Sequence, residues 1–171
     1  MSSIESYVRD IPDFPKPGIV FKDLTPLLAD ANALAETTRL LAEPFKDSGI
    51  TAVAGMEARG FIFGSLVAHQ LGTGFIPLRK PGKLPASTHS AAFTLEYGEA
   101  ELHMHTDAVG NTDKVLLVDD LIATGGTAAA SIELVGKSGA QIAACAFVIE
   151  LDFLNGREAL GDCPVHSLLH F

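Results

Sequence analysis

Cations, cysteines and long apolar runs are all scarce in this chain. Twelve Lys and Arg stand against 21 Asp and Glu, a formal charge of −9 at neutral pH, which argues against nonspecific nucleic-acid binding through a broad basic face. The two cysteines fall in neither a C-x-x-C nor a zinc spacing: Cys145 lies in the apolar run 142–149 and Cys163 precedes Pro164. Both read as buried or incidental thiols. No apolar run approaches the ~20 residues needed to cross a bilayer, so no membrane partner is expected. Residues 1–10 have neither the basic start nor the apolar core of a secretion signal, which predicts a cytoplasmic location. GxxxxGK[ST] is absent, and no GxGxxG follows a predicted strand. Nor does any repeat, low-complexity tract or second-domain boundary appear. The 171 residues are therefore expected to form one domain that buries roughly 70% of its unfolded surface.

What is present is organised around residues 115–127. Val115, Leu116, Leu117 and Val118 form an unbroken apolar run, the signature of a strand buried on both faces. Asp119 and Asp120 are expected to close that strand, and an alanine-rich helical pattern runs from Ala128 to about Lys137. Ligands of open α/β sheets sit beyond the carboxyl ends of strands, where a following helix offers unpaired N–H groups and the positive end of its dipole. Gly125 and Gly126 allow close backbone approach, and the hydroxyls of Thr124 and Thr127 can donate to an anion. The two carboxylates would repel a bare phosphate. They suit sugar hydroxyls, or a metal already carrying phosphates. A loop taking phosphate at one end and a diol at the other describes a ribose-5-phosphate cradle.

Along the rest of the chain, residues 2–10 allow a short helix. The three prolines and one glycine within 12–18 forbid regular helix or central strand there. An extended piece is predicted at 19–26, an amphipathic helix at 32–48 and a core strand at 51–55. A loop bearing Arg59 then leads into a helix at 62–71, and Arg59 has the fork geometry for a diphosphate. A strand at 74–78 precedes about eighteen residues without helical period, a lid rather than a plain connection. Between Arg79 and Leu95 this segment holds Arg79, Lys80 and Lys83 and no acid, a local basic patch suited to one small polyanion. Alternation at 100–105 puts His103 and His105 on one strand face, where a solvated surface is favoured over a metal site for want of a third ligand. Further strands are predicted at 140–150 and 165–169, with a short helix at 157–160. Strands separated by helices predict an α/β fold, a mostly parallel twisted sheet flanked by helices through right-handed crossovers. Its loops at 55–60, 79–83 and 119–127 would then gather at one edge.

The run V-L-L-V-D-D-L-I-A-T-G-G-T at 115–127 resembles the phosphoribosyl-diphosphate (PRPP) signature of the type I phosphoribosyltransferases. G-M-E-A-R-G-F at 55–61 resembles that family's pyrophosphate loop, where a strained peptide exposes N–H groups. R-K-P-G-K-L-P at 79–85 and L-E-Y-G at 95–98 resemble the two ends of its mobile loop. P-D-F-P-K-P-G-I-V-F-K-D at 12–23 is similar to the base-binding hood of the adenine-using branch.

The resemblance implies the type I fold, with a small N-terminal hood at roughly 1–30 and a mobile lid at roughly 79–97. The implied reaction is adenine plus PRPP giving AMP and diphosphate, dependent on Mg²⁺ held by PRPP and water with no direct protein ligand. By the same resemblance Val20, Phe21 and Lys22 contact adenine. Asp119, Asp120, Ala123, Thr124, Gly125, Gly126 and Thr127 hold the ribose 5-phosphate. Glu57, Ala58, Arg59, Arg79, Lys80 and Lys83 attend the diphosphate, with Glu57 orienting its loop. Glu96, with Asp119 and Asp120, is the catalytic candidate, a proton donor or acceptor near the adenine ring. A homodimer is also implied. Two alternatives stay open: a phosphoribosyltransferase for xanthine or hypoxanthine, and a non-enzymatic PRPP sensor.

Overall fold

A computed structural model describes residues 4–95 and 98–171. The chain divides into two compact units, Met1–Leu40 and Leu41–Phe171. In the first, a 3₁₀ turn at Ile4–Tyr7 leads to a two-stranded antiparallel hairpin, β1 Arg9–Pro12 with β2 Val20–Asp23. The short helix expected within 2–10 is thus a single 3₁₀ turn, and a strand takes over from Arg9. Pro12 is tolerated because it ends an edge strand and owes no ladder bond. Asp23 accepts from Arg9 and from the Thr25 N–H at 2.9 Å. The latter bond, then Arg9, holds its carboxyl down at about 2. Two helices follow, α1 Thr25–Ala29, which was not predicted, and α2 Ala31–Ala42. Asp30 Oδ1 accepts the N–H groups of Asn32 at 3.0 Å and Ala33 at 2.8 Å, which is why α2 starts there. The helix gives way to a 3₁₀ turn at Glu43–Phe45, where Pro44 cannot supply the next helical N–H.

The second unit is built on a five-stranded sheet in the order β4-β3-β7-β8-β9, every neighbour parallel. The strands are β3 Ala52–Met56, β4 Gly74–Leu78, β7 Lys114–Ile122, β8 Gln141–Glu150 and β9 Val165–His170. Helix α3 Gly60–Leu71 links β3 to β4, and α4 Gly126–Gly136 links β7 to β8. Val115 to Val118 and Val53 to Met56, Gly55 aside, are buried hydrophobics, as a sheet covered on both faces requires. The chain leaves β3 for β4 on one side and returns to β7 on the other. A topological switch point therefore lies between β3 and β7, the crevice where open α/β sheets hold ligands.

One predicted detail changes. The lid is largely regular: β5 Thr88–Leu95 pairs antiparallel with β6 Gly98–His105, Thr88 opposite His105. Backbone bonds between Arg79 and His103, at 2.9 and 2.7 Å, join this hairpin to the residue after β4. The cysteines, far apart in sequence, meet across the β8–β9 side of the sheet with their Sγ atoms 3.8 Å apart. The hydrogen bond from the Cys145 thiol holds Cys163 down at about 7, while that bond and burial push Cys145 up. Among the described residues, no helix is long and apolar enough to cross a membrane.

Candidate active site

At the switch point a cleft of about 430 Å³ opens between the carboxyl ends of β3 and β7. Its lining includes Glu57, Ala58, Arg59, Lys80 and the continuous stretch Asp119–Ala128. Three loops predicted to converge thus contribute to one wall, though from the lid's cations only Lys80 lines it. Lys83 is exposed on the turn after β4 and is not among the lining residues. Arg79 is engaged by protein groups instead. Its guanidinium donates to Glu57 at 3.2 and 3.5 Å and lies 5.8 Å over the Phe61 ring.

Glu57 holds the loops in register. It accepts the Lys80 N–H at 2.8 Å, and its own N–H donates to the Leu78 carbonyl at 3.0 Å. Burial alone would raise its carboxyl. The bonds from Lys80 and Arg79 prevail and keep it below the usual range. The following peptide bond, Glu57–Ala58, is cis, and Arg59 precedes the first residue of α3.

The paired acids do not close their strand, because β7 continues through both to Ile122. Consecutive strand residues face opposite ways, yet both acids reach the cleft. Asp119 stands against the start of α3, where a methyl group on Gly60 would lie 2.8 Å from its Oδ1. That oxygen also accepts the Asp120 N–H at 2.8 Å. Burial, and then the Asp120 charge, push the Asp119 carboxyl well above its ordinary value, with Arg59 opposing. Asp120 is 6% exposed and accepts a hydrogen bond from Arg59 Nε.

Helix α4 begins beyond Gly125, whose φ of +83° is a conformation glycine adopts without penalty. No side chain caps that end, and its first turn carries no acid. The opening N–H groups of an α-helix lack intrahelical acceptors, so α4 directs unpaired donors and positive dipole into a cleft already lined by Thr124 and Thr127.

A second cavity of about 550 Å³ shares Glu57, Lys80 and Thr127 with the cleft and is walled by Phe93 and Leu102 of the lid hairpin. Met56, Leu121, Ile122 and Phe147 add apolar surface to the main cleft and were not anticipated. Leu121, Ile122 and Met56 were readable from the motifs themselves, whereas Phe147 arrives from β8 and carries no local signal. His103 and His105 gather no third His, Cys, Asp or Glu among the described residues. His103 Nδ1 lies 3.2 Å from Thr88 Oγ1 instead. Glu96 lies outside the described residues. Val20, Phe21 and Lys22 belong to the N-terminal unit: Phe21 packs edge-on against Phe14 at 5.2 Å, and Lys22 pairs with Asp10 at 2.7 Å.

A parallel sheet with a phosphate-suited loop, paired acids and cations at its switch point defines a class, and the sequence places the chain in it. It belongs to the phosphoribosyltransferase family, the description phosphoribosyl transferase domain matching residues 24–160. Within that family it is 61% identical to the adenine phosphoribosyltransferase of Nitrosococcus oceani across the whole of both chains. The crystal structure of adenine phosphoribosyltransferase from Thermoanaerobacter pseudethanolicus superposes with a TM-score of 0.95 at 48% identity, covering 98% of each chain. That of the Saccharomyces cerevisiae enzyme, complexed with an imino-altritol bisphosphate and adenine, gives 0.92 at 39% identity over 97% of this chain and 96% of that one.

Proposed function

We propose that the chain transfers the 5-phosphoribosyl group of PRPP to adenine, forming AMP and diphosphate. The observation that carries this is the single cleft in which Asp119, Asp120 and Arg59 face the capless start of α4. Only a ligand with phosphate at one end, hydroxyls in the middle and further anionic charge beyond uses all of these groups. Adenine as the acceptor rests on the relatives named for it and on the hood motif at 12–23.

In this reading the N–H groups and hydroxyls of 123–127 hold the 5′-phosphate. Asp119 and Asp120 accept from the ribose hydroxyls, and their charge favours the oxocarbenium-like sugar that forms as the bond from C1′ to the diphosphate breaks. Arg59 and Lys80 receive the diphosphate, with Arg79 and Glu57 fixing the loops from behind. Lys83 joins from the lid. The bond from adenine N9 to C1′ forms as the ring gives up a proton, for which Glu96 is the acceptor. Val20, Phe21 and Lys22 hold the base. Fixing two reactants in line supplies about 7–11 kcal/mol of barrier reduction, which makes geometry the largest contribution.

Before substrate binds, burial and the Asp120 charge hold Asp119 toward its neutral form. Positive charge arriving with substrate favours the carboxylate. Mg²⁺ fits this donor set as an ion carried by the substrate: two carboxylates, one engaged by Arg59, provide acceptors for its waters rather than a closed cage. When bound it neutralises the departing diphosphate. The reading extends to a cytoplasmic homodimer, which sedimentation of the purified protein and fractionation of cells test.

Comparing kcat/KM for adenine, hypoxanthine, guanine and xanthine with PRPP and Mg²⁺ tests the function. Adenine is expected to lead by about 10⁴ or more, since a site built on hydrogen bonds rejects a mispaired analogue by that factor. A lead for another base would change the substrate, and PRPP binding without diphosphate release from any base would make the chain a sensor.

A further inference from the structure

The phosphate-suited loop is backed by a part of the chain that never enters the cleft. The 3₁₀ turn Gly156–Leu160 lies behind it, backbone on backbone. A methyl group on Gly156 would stand 2.3 Å from the Ala123 carbonyl oxygen and 2.9 Å from an Ile122 side-chain carbon. One on Gly125 would stand 2.2 Å from the Gly156 carbonyl oxygen and 2.9 Å from Ala159 Cβ. Approach this close leaves room for hydrogen alone on either Cα.

The turn is itself fixed to the sheet. Arg157 donates from Nε and Nη2 to the two oxygens of Glu150, both at 2.6 Å, and from Nη1 to the Val165 carbonyl at 3.4 Å. Glu150 is 6% exposed at the end of β8, so the fork closes on a buried carboxylate, the geometry in which a guanidinium orients most firmly. Next to it, the Leu151 N–H donates to the Ile122 carbonyl at 3.1 Å. The backing is thus tied both to β8 and to the strand that leads into the loop.

We infer that Gly156 and Arg157 are positioning residues for the 5′-phosphate: the turn sets where the donors of 124–127 point, and the Arg157–Glu150 fork sets where the turn sits. This rests on the reading that the loop holds that phosphate. Neither residue lines the cleft, so the effect passes through loop position alone. A methyl group on Gly156 forces the Ala123 carbonyl back by about 1 Å to reach ordinary contact, and a displacement of that size costs up to about 10²-fold in binding or rate.

Gly156→Ala is measured against wild type by kinetics with PRPP varied, and by calorimetric titration with ribose 5-phosphate, which carries the phosphate but neither base nor diphosphate. The KM for PRPP and the Kd for ribose 5-phosphate are both expected to rise about tenfold or more. The KM for adenine is expected to stay within about threefold. A variant that is merely less stable lowers the active fraction and leaves both KM values unmoved. Unchanged KM for PRPP and unchanged Kd in folded Gly156→Ala overturn the inference.

Should that variant not fold, Arg157→Gln, which keeps the Gly156 backbone and opens the fork, is expected to weaken ribose 5-phosphate, with part of the loss restored in Arg157→Lys. Wild-type affinity in Arg157→Gln overturns the inference equally. If wild type makes no AMP while the variants still lose ribose 5-phosphate, the proposed function fails and this inference stands. If wild type is active and the variants bind ribose 5-phosphate normally, the function stands and this inference fails.

Discussion

Asp120→Asn separates what the paired acids do for stability from what they do for catalysis. Two stability effects oppose each other. The substitution weakens the bond from Arg59, but that side chain is 52% exposed although its partner is only 8% exposed. Solvent on one side limits the loss to about 0.2–1 kcal/mol, far from the 3–5 kcal/mol of a pair buried on both sides. The asparagine oxygen can still accept from Arg59 Nε. Against this loss, removing the Asp120 charge relieves the repulsion that, after burial, pushes Asp119 upward. The net change in unfolding free energy is therefore expected within about 1 kcal/mol of zero.

Catalysis has no such compensation. In the proposed reaction an acceptor for a ribose hydroxyl and a charge facing the cationic sugar would both go, at a cost of about 10²–10³ in turnover. Urea unfolding at neutral pH and initial rates of AMP formation measure the two. Turnover within about threefold of wild type would remove Asp120 from the chemistry. A stability loss beyond about 3 kcal/mol would make it a structural residue.

Other consequences are equally specific. Asp119→Asn is expected to be more stable than wild type at pH 7 and not at pH 3.5. A carboxyl raised in the folded state costs wild type stability as pH climbs from the ordinary value of 3.8 through the raised one, and urea unfolding at both pH values reads the difference. PRPP with Mg²⁺ is expected to release more protons on binding wild type than on binding Asp119→Asn, because the ligand draws the raised Asp119 carboxyl toward its charged form. Titration calorimetry in buffers of different ionisation enthalpy shows this. Lys80→Ala is expected to raise the KM for PRPP about 10- to 100-fold, the worth of a charge-assisted hydrogen bond. Lys83→Ala, off the cleft wall in this conformation, is expected to weaken PRPP while leaving adenine affinity intact, and equal loss of both ligands would indicate a misfolded lid. Cys163, held at about 7, is expected to react with iodoacetamide faster as pH rises from 6 to 8 while buried Cys145 stays unmodified, which peptide mass mapping resolves.

The sheet and the central loop were legible because their signals are local. The apolar run at 115–118 and the strand at 74–78 need no partner to be recognised, and the glycines and threonines at 124–127 declare a loop before a helix. What was hidden depends on residues far apart in sequence. The small polar stretch 86–92 has no period of its own and becomes a strand only because β6 offers it a register. Arg79 and Arg59 both read as cations for a ligand. Only the fold reveals that Glu57 occupies the first and Asp120 engages the second. Cys145 and Cys163 come together because β8 and β9 are parallel neighbours. Gly156 drew no notice in the sequence, because its close approach to Ala123 is a contact no local pattern encodes.

A crystal structure of the protein with AMP bound tests the central claim most directly. The 5′-phosphate is expected on the N–H groups and hydroxyls of 124–127, with the ribose hydroxyls reaching Asp119 and Asp120. A nucleotide whose phosphate lies elsewhere, leaving the start of α4 untouched, would contradict the placement of the sugar across the end of β7.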